Sequence, residues 1–363
     1  MKSPASAYKI LRTGVLSLLA SAALALPAMA EDKSSSLAAS TFEVVAELDI
    51  NPGNVAVSKE GRVFTTIHPI RKGSLQLAEV LSDSTLVPFP NEAMQSTSDS
   101  ATLDKFDAPL GLLFDNKNRL WVVDVGLNLG QARIFAYDID TTEQLYRFDV
   151  PKELAPSTSF VQDIVVDEGN DILYIADAIN PALIVIDMRS ATFRKIVHTP
   201  SMAPEDIDMV INGQVQYFFG DPIRIAIDGI TISEDRETIF YGAMSSTNWY
   251  QVSAKKIREG ASDEEVFETI KRVGAKPLSD GSATDNDGNH YFTNVQEGSI
   301  SVLSKDGELS TLMKHEFLDW PDSVRIHNDW LYVTSNQIYK SAAFQGEEQA
   351  ITPYRILRFK YQQ

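Results

Sequence analysis

The sequence predicts an all-β fold, a six-bladed β-propeller, on three observations. A short phrase recurs six times, the intervals between copies are the length of one blade, and a strand left over at the N-terminal end matches the one strand the last blade lacks. The copies read GNVAVSKEGRVFTT, LGLLFDNKNRLWVVD, QDIVVDEGNDILYIAD, DGITISEDRETIFYGA, DGSATDNDGNHYFTN and DSVRIHNDWLYVTS. Their aromatics are Phe64, Trp121, Tyr174, Phe240, Tyr291 and Tyr332, spaced by 57, 53, 66, 51 and 41 residues. Each copy is a hairpin unit that cannot bury its apolar face alone, and stacking such units in a ring does so.

The blades follow in order. Each phrase supplies two inner strands, and alternating segments supply the outer ones: Ala132 to Ile139 and Glu143 to Val150 in blade 2, ALIVIDM and TFRKIVH in blade 3, SISVLSK and ELSTLMK around Asp306-Gly307 in blade 5. Blade 6 has only Tyr354 to Tyr361 after its phrase, one strand short, while Phe42 to Leu48 precedes the first phrase and belongs to no blade. Pairing these N-terminal and C-terminal strands closes the ring and removes an open edge. Three insertions interrupt the rhythm. Asn91 to Ala108 reads as a loop, Thr199 to Arg224 should lie over one face, and Val252 to Val273 carries helical patterning with Asp263 or Ser262 as cap.

Residues 1–30 read as a signal peptide. Lys2, Lys9 and Arg12 precede an apolar run from Gly14 to Leu26, and Ala28-Met29-Ala30 is a small-x-small cleavage site. The run falls short of the about 20 residues that span a bilayer. The expectation is therefore cleavage after Ala30, a secreted or periplasmic protein with no membrane span left, a flexible stretch over 31–41, and one propeller domain over 42–363. Without the three basic leader residues the chain has 29 basic against 50 acidic side chains, a net charge of −21. Such a surface repels phosphate backbones, so no nucleic-acid partner is expected. The 363-residue chain has no cysteine, which excludes disulfides, thiolate catalysis and iron–sulfur clusters. A monomer is expected.

Propeller geometry places the head of each innermost strand and the end of each second strand on one face of the channel. The heads bring Asp163, Asp228, Asp280 and Asp322 to equivalent positions; the second-strand ends bring His68, Asp124, Asn294 and Asn336, with Asn248 just beyond the fourth. Four carboxylates near one axis raise each other's pKa unless a cation intervenes. An ion such as Ca²⁺ or Mg²⁺ on Asp228 and Asp280, or a cationic amine, would relieve the repulsion. Asp residues in such places also cap turns by accepting backbone N–H bonds. TDNDGN, from Thr284 to Asn289, lacks the EF-hand Gly and Glu spacing and reads as a hairpin turn. No G-x-S-x-G, P-loop or H-E-x-x-H is present.

The stretch from NRLWVVDVG through RIFAYDIDTTEQLYRFDV to ALIVIDMRS, with DGITISEDRETIFYGAMSSTNWYQVSAKKI and RVGAKPLSDGSATDNDGNHYFTN, resembles the Yellow/major royal jelly protein family. The resemblance covers roughly Phe42 to Phe359 and implies an exported six-bladed propeller, here looking like a bacterial, dopachrome tautomerase-related member. It also implies a central small-molecule site, since insect members include proteins with attributed dopachrome conversion and salivary proteins that bind biogenic amines. The gluconolactonase/senescence-marker lactonases share the architecture. Asp228-Gly229 and Asp280-Gly281 stand where their later metal ligands would be, but Pro52-Gly53-Asn54 has no Glu at the first head. Three functions stay open. One is a binder of a small aromatic or cationic molecule, another a dopachrome-type isomerase with Asp163, Asp228, Asp280 or His68 as base. The third is a metal-dependent hydrolase using Asp228 and Asp280.

Overall fold

The computed structural model describes residues 42–71, 73–97 and 100–361; the expected leader and the 31–41 stretch lie outside them. Six four-stranded antiparallel sheets form the six blades. Blade 1 starts at Pro52–Val57, blade 2 at Pro109–Phe114, blade 3 at Val161–Asp167, blade 4 at Ile227–Ile232, blade 5 at Ser282–Thr284 and blade 6 at Pro321–His327. In blade 6 the strand Tyr354–Lys360 pairs with Phe42–Leu48, from Phe42 opposite Phe359 to Leu48 opposite Tyr354. The N-terminal strand is thus the outermost strand of the last blade, and the ring is closed.

The repeated phrase is explained by its hydrogen bonds. In blade 2 Asp115 accepts the backbone N–H groups of Lys117 and Arg119 and the Trp121 indole N–H at 2.9 Å. In blade 5 Asp285 does the same for Asp287, Asn289 and the Tyr291 hydroxyl at 2.8 Å. The acidic residue therefore folds the turn and fixes the aromatic of the next strand, as Asx turns do. Those aromatics and their neighbours fill apolar layers between adjacent blades, such as Trp121 with Ile164 and Leu173 between blades 2 and 3, and Tyr174 with Ile230 and Tyr241 between blades 3 and 4. Near the axis the heads crowd so closely that a Cβ at Gly111 would collide with the Gln162 carbonyl oxygen, and one at Gly281 with that of Asp322.

The insertions keep their expected places. Between the third and fourth strands of blade 4 lie two short helices, Ala254–Arg258 and Asp263–Phe267; Ser262, not Asp263, caps the second in a reciprocal box with Glu265. Among its described residues, the Asn91 to Ala108 segment carries a helical turn at Glu92–Met94. The third insertion forms a helical turn at Thr199–Met202 and two small hairpins, the second pairing Tyr217–Phe218 with Asp221–Pro222.

Candidate functional site

The first two strands of blades 1, 2, 3, 4 and 6 pair with a register shift at the head: between Pro52 and Val55, Pro109 and Gly111, Val161 and Ile164, Ile227 and Ile230, and Pro321 and Val324. A bulge of this kind re-aims side chains that would otherwise alternate across the sheet. Asn54, Asp163, Asp228 and Asp322 all sit inside these shifts.

Aligning the phrases separates the heads into two layers. Gln162, Asp228, Asp280 and Asp322 occupy the first head position, and Asn54 and Asp163 the second, one residue further along the strand. The expectation of four equivalent carboxylates is corrected accordingly. Asp163 lies a layer deeper and engages Arg325 at 2.9 Å, while its second oxygen accepts the Ile230 N–H at 3.2 Å.

Gln162, Asp228 and Asp280 of the first layer floor a cavity of about 140 Å³ that opens on the head face, and Asp322 stands outside its lining. Gln162, Asp228, Asp280 and His68 supply its polar lining; Phe160, Met244, Ile225 and Trp320 form apolar walls. Phe218 and Ile223 of the Thr199 to Arg224 insertion, with Ile338 and Phe344 of the blade 6 connection, complete the wall. The two segments meet through Phe218 and Phe344, tilted at 59° with 5.2 Å between centroids, and a Phe219 N–H bond to Ala343 O of 3.0 Å. A wider, more open groove of about 710 Å³ lies on the other side of Trp320, but none of the channel carboxylates lines it.

Each first-layer carboxylate receives one neutral donor. The Gln162 amide donates to Asp228, the Trp320 indole N–H to Asp280 at 2.7 Å, and the Asn336 amide to Asp322 at 2.5 Å. Trp320 holds a left-handed φ of 56°, a costly conformation for a bulky side chain, and its indole reaches Asp280 from there. Burial, and then the neighbouring carboxylates, push Asp228 and Asp322 well above the usual carboxylate range. Burial carries Asp280 up to about 6, against the Trp320 hydrogen bond that favours its ionised form. The group is acceptor-rich and under-neutralised.

One further cation lies close by. Lys276 is 2% exposed, donates to Pro277 O at 2.9 Å and Ser279 Oγ at 3.2 Å, and burial lowers it to about 7. Its charge acts on Asp228. Gly242 makes room for its stem, since a Cβ there would stand 2.8 Å from Lys276 Cε. His68 faces the cavity with Nδ1 accepting the Ile70 N–H at 3.1 Å; burial and then the Arg71 charge push its imidazole down to about 3, so it is neutral.

The remaining expected residues stand outside the cavity. Asp124 is fully buried against Arg133 at 2.6 Å and accepts the Asp107 N–H at 2.8 Å, and Arg133 ties down the loop through Leu103 O at 2.8 Å and Lys105 O at 2.7 Å. Asn294 caps a turn by accepting the Glu297 N–H at 3.2 Å. Asn248 bonds Glu205 and Arg272 at the edge of blade 4. Asn336 joins Asp322 to Pro52 O at 3.1 Å and braces the blade 6 to blade 1 seam. Among the described residues, no three His, Cys, Asp or Glu side chains converge as the ligands of one metal ion. A divalent ion on Asp228 and Asp280 would need oxygen ligands besides these two carboxylates.

Gln162, Trp320, Lys276 and Arg325 were not singled out as site residues from the sequence. Arg325 had a legible signal: it stands where the other five phrases have Ala56, Leu113, Val165, Thr231 and Ala283. Gln162 had one too, at the first head position of its phrase; Trp320 and Lys276 had none, because their roles come from which blades face each other.

Residues 109–362 match the major royal jelly protein family. A Yellow-related salivary protein of Phlebotomus argentipes is 26% identical over 170 residues, covering 40% of this chain and 42% of that protein. Major royal jelly protein 9 of Apis mellifera is 24% identical over 187 residues, 48% of this chain and 42% of that protein. These alignments thus span about two fifths of the relatives' own length. Among solved structures, a gluconolactonase of Xanthomonas campestris superposes with a TM-score of 0.56 at 11% identity over 89% of this chain and 90% of that one, a likeness of fold alone. The chain belongs to the major royal jelly protein family.

Proposed function

We propose that this major royal jelly protein family propeller binds a small molecule with an apolar, aromatic body and a positive charge in its head-face cavity. The observation that carries the reading is one enclosure holding both parts of the complement, the Phe160, Trp320, Phe218 and Phe344 walls and the Asp228 and Asp280 carboxyls. A cavity of about 140 Å³ compares with the engineered ~150 Å³ cavity that takes benzene. A cation at its floor would offset the burial, and then the neighbouring carboxylates, that raise Asp228, and the burial that raises Asp280. The family resemblance is consistent with a small ligand. Titration with benzylamine, followed by Trp320 emission and repeated in Trp320→Phe, tests the reading. A saturable change lost in the variant supports it, and an unchanged spectrum counts against it.

An isomerase of the dopachrome type is favoured by one feature. Asp280 near 6 has the basicity of a general base working close to neutrality. Conversion of the bound molecule, and not mere retention, would be its sign. A divalent cation on Asp228 and Asp280 needs further oxygen ligands beyond these two carboxyls, and a melting temperature raised by Ca²⁺ and lowered by EDTA would be its support. Export to the periplasm or exterior, from the leader sequence, belongs to the same proposal.

A further inference from the structure

The innermost strands carry consecutive layers into two separate chambers. Gln162, Asp228 and Asp280 line the head-face cavity, and two residues along the same strands Ile164, Ile230 and Ser282 line a second cavity of about 200 Å³. The intervening layer is closed by Arg325. Its Nε–H donates to Leu112 O at 3.2 Å, its Nη1 to Ser282 O at 3.4 Å and Val324 O at 3.1 Å, and its Nη2 to Asn54 Oδ1 at 3.0 Å and Asp163 Oδ1 at 2.9 Å. All five guanidinium N–H groups are engaged, on blades 1, 2, 3, 5 and 6. Asp163 adds blade 4 through the Ile230 N–H. Arg325 thus has no donor left for a ligand, and a planar group held on so many sides cannot swing aside cheaply.

We infer that the Arg325–Asp163 septum makes the head-face cavity blind immediately beyond Asp228 and Asp280, so that the site selects ligands whose positive charge is terminal, a primary ammonium with nothing attached beyond the nitrogen. This rests on the cation-binding reading above. An aromatic body fills the walls, the ammonium meets the carboxyls, and an N-alkyl group would have to enter the septum. Removing the guanidinium joins the two chambers and gives that group a place to go.

The test is a calorimetric series of benzylamine, N-methylbenzylamine and N-butylbenzylamine on the wild-type protein, Arg325→Met and Arg325→Lys. The expected result is a loss of tenfold or more from benzylamine to the N-butyl compound in the wild type, with that ratio shrinking toward one in Arg325→Met. The ratio reports pocket depth, which a purely structural role would not change. Equal wild-type affinity across the series overturns the septum inference and leaves cation binding standing. Binding of none of the three overturns the cation reading itself. If Arg325→Met does not fold, the wild-type series still decides, and Arg325→Lys must preserve the selectivity less well than the parent.

Discussion

Arg325 of blade 6 and Asp163 of blade 3 meet 2.9 Å apart inside the channel, joining strands that the ring otherwise keeps on separate blades. Their contact divides the channel and holds Asp163 outside the lining of the head-side cavity, leaving Asp228 and Asp280 as the carboxyls that face it.

Breaking that contact leaves a buried charge without a partner. Arg325→Met should cost about 3–5 kcal/mol in urea denaturation. Adding Asp163→Asn, which removes the orphaned charge, should recover part of the loss. Strict additivity of the two losses would argue that the residues act independently.

Two groups of aspartates are predicted to part by assay. Asp228→Asn and Asp280→Asn should lower benzylamine affinity tenfold or more. Asp124→Asn should leave affinity unchanged while lowering stability by about 2–4 kcal/mol, because Arg133 stays buried without its counter-charge. An affinity loss in Asp124→Asn would move the site toward blade 2.

The stability of wild type relative to Asp280→Asn should depend on pH with a definite sign. Asp280 stands near 6 in the fold against about 3.9 unfolded, so the folded state binds more protons between these values. Its contribution is fully present below pH 4 and is lost as pH rises through 6. Asp280→Asn should therefore gain about 1–2 kcal/mol on the wild type between pH 4 and 7, a range set below the full shift because the carboxyl opens to the cavity. Comparing the two proteins removes His68, which acts in the opposite direction over an overlapping range because its folded value is lowered to about 3. A gap that does not widen with pH would refute the raised Asp280.

Ring closure makes a prediction about association. Removing Phe42–Leu48 uncovers the edge of Tyr354–Lys360 and should produce self-association in light scattering. A monomer of unchanged stability would show that the closing strand is dispensable.

Most of the fold was legible in the sequence because it repeats. The six phrases fixed blade number, the surplus Phe42 to Leu48 strand found its partner, and the helical insertion of blade 4 carried its own cap. The site was legible only as a neighbourhood. Asp228 and Asp280 were placed correctly at the heads, but one-residue differences between phrases decide layer, and these set Asp163 apart from its three companions. Asp124 shares the second-strand end with residues nearer the channel, yet its fate depends on Arg133 nine positions later. The cover made by Phe218 and Phe344 joins segments more than a hundred residues apart, a contact that no local pattern encodes.

The most direct measurement compares benzylamine with benzyl alcohol, its neutral counterpart, by titration calorimetry on the wild type and Asp280→Asn at pH 7.5. The account predicts saturable binding of the amine, binding of the alcohol at least tenfold weaker, and loss of that preference in the variant. Equal binding of the two in the wild type, or no heat from either, would contradict it.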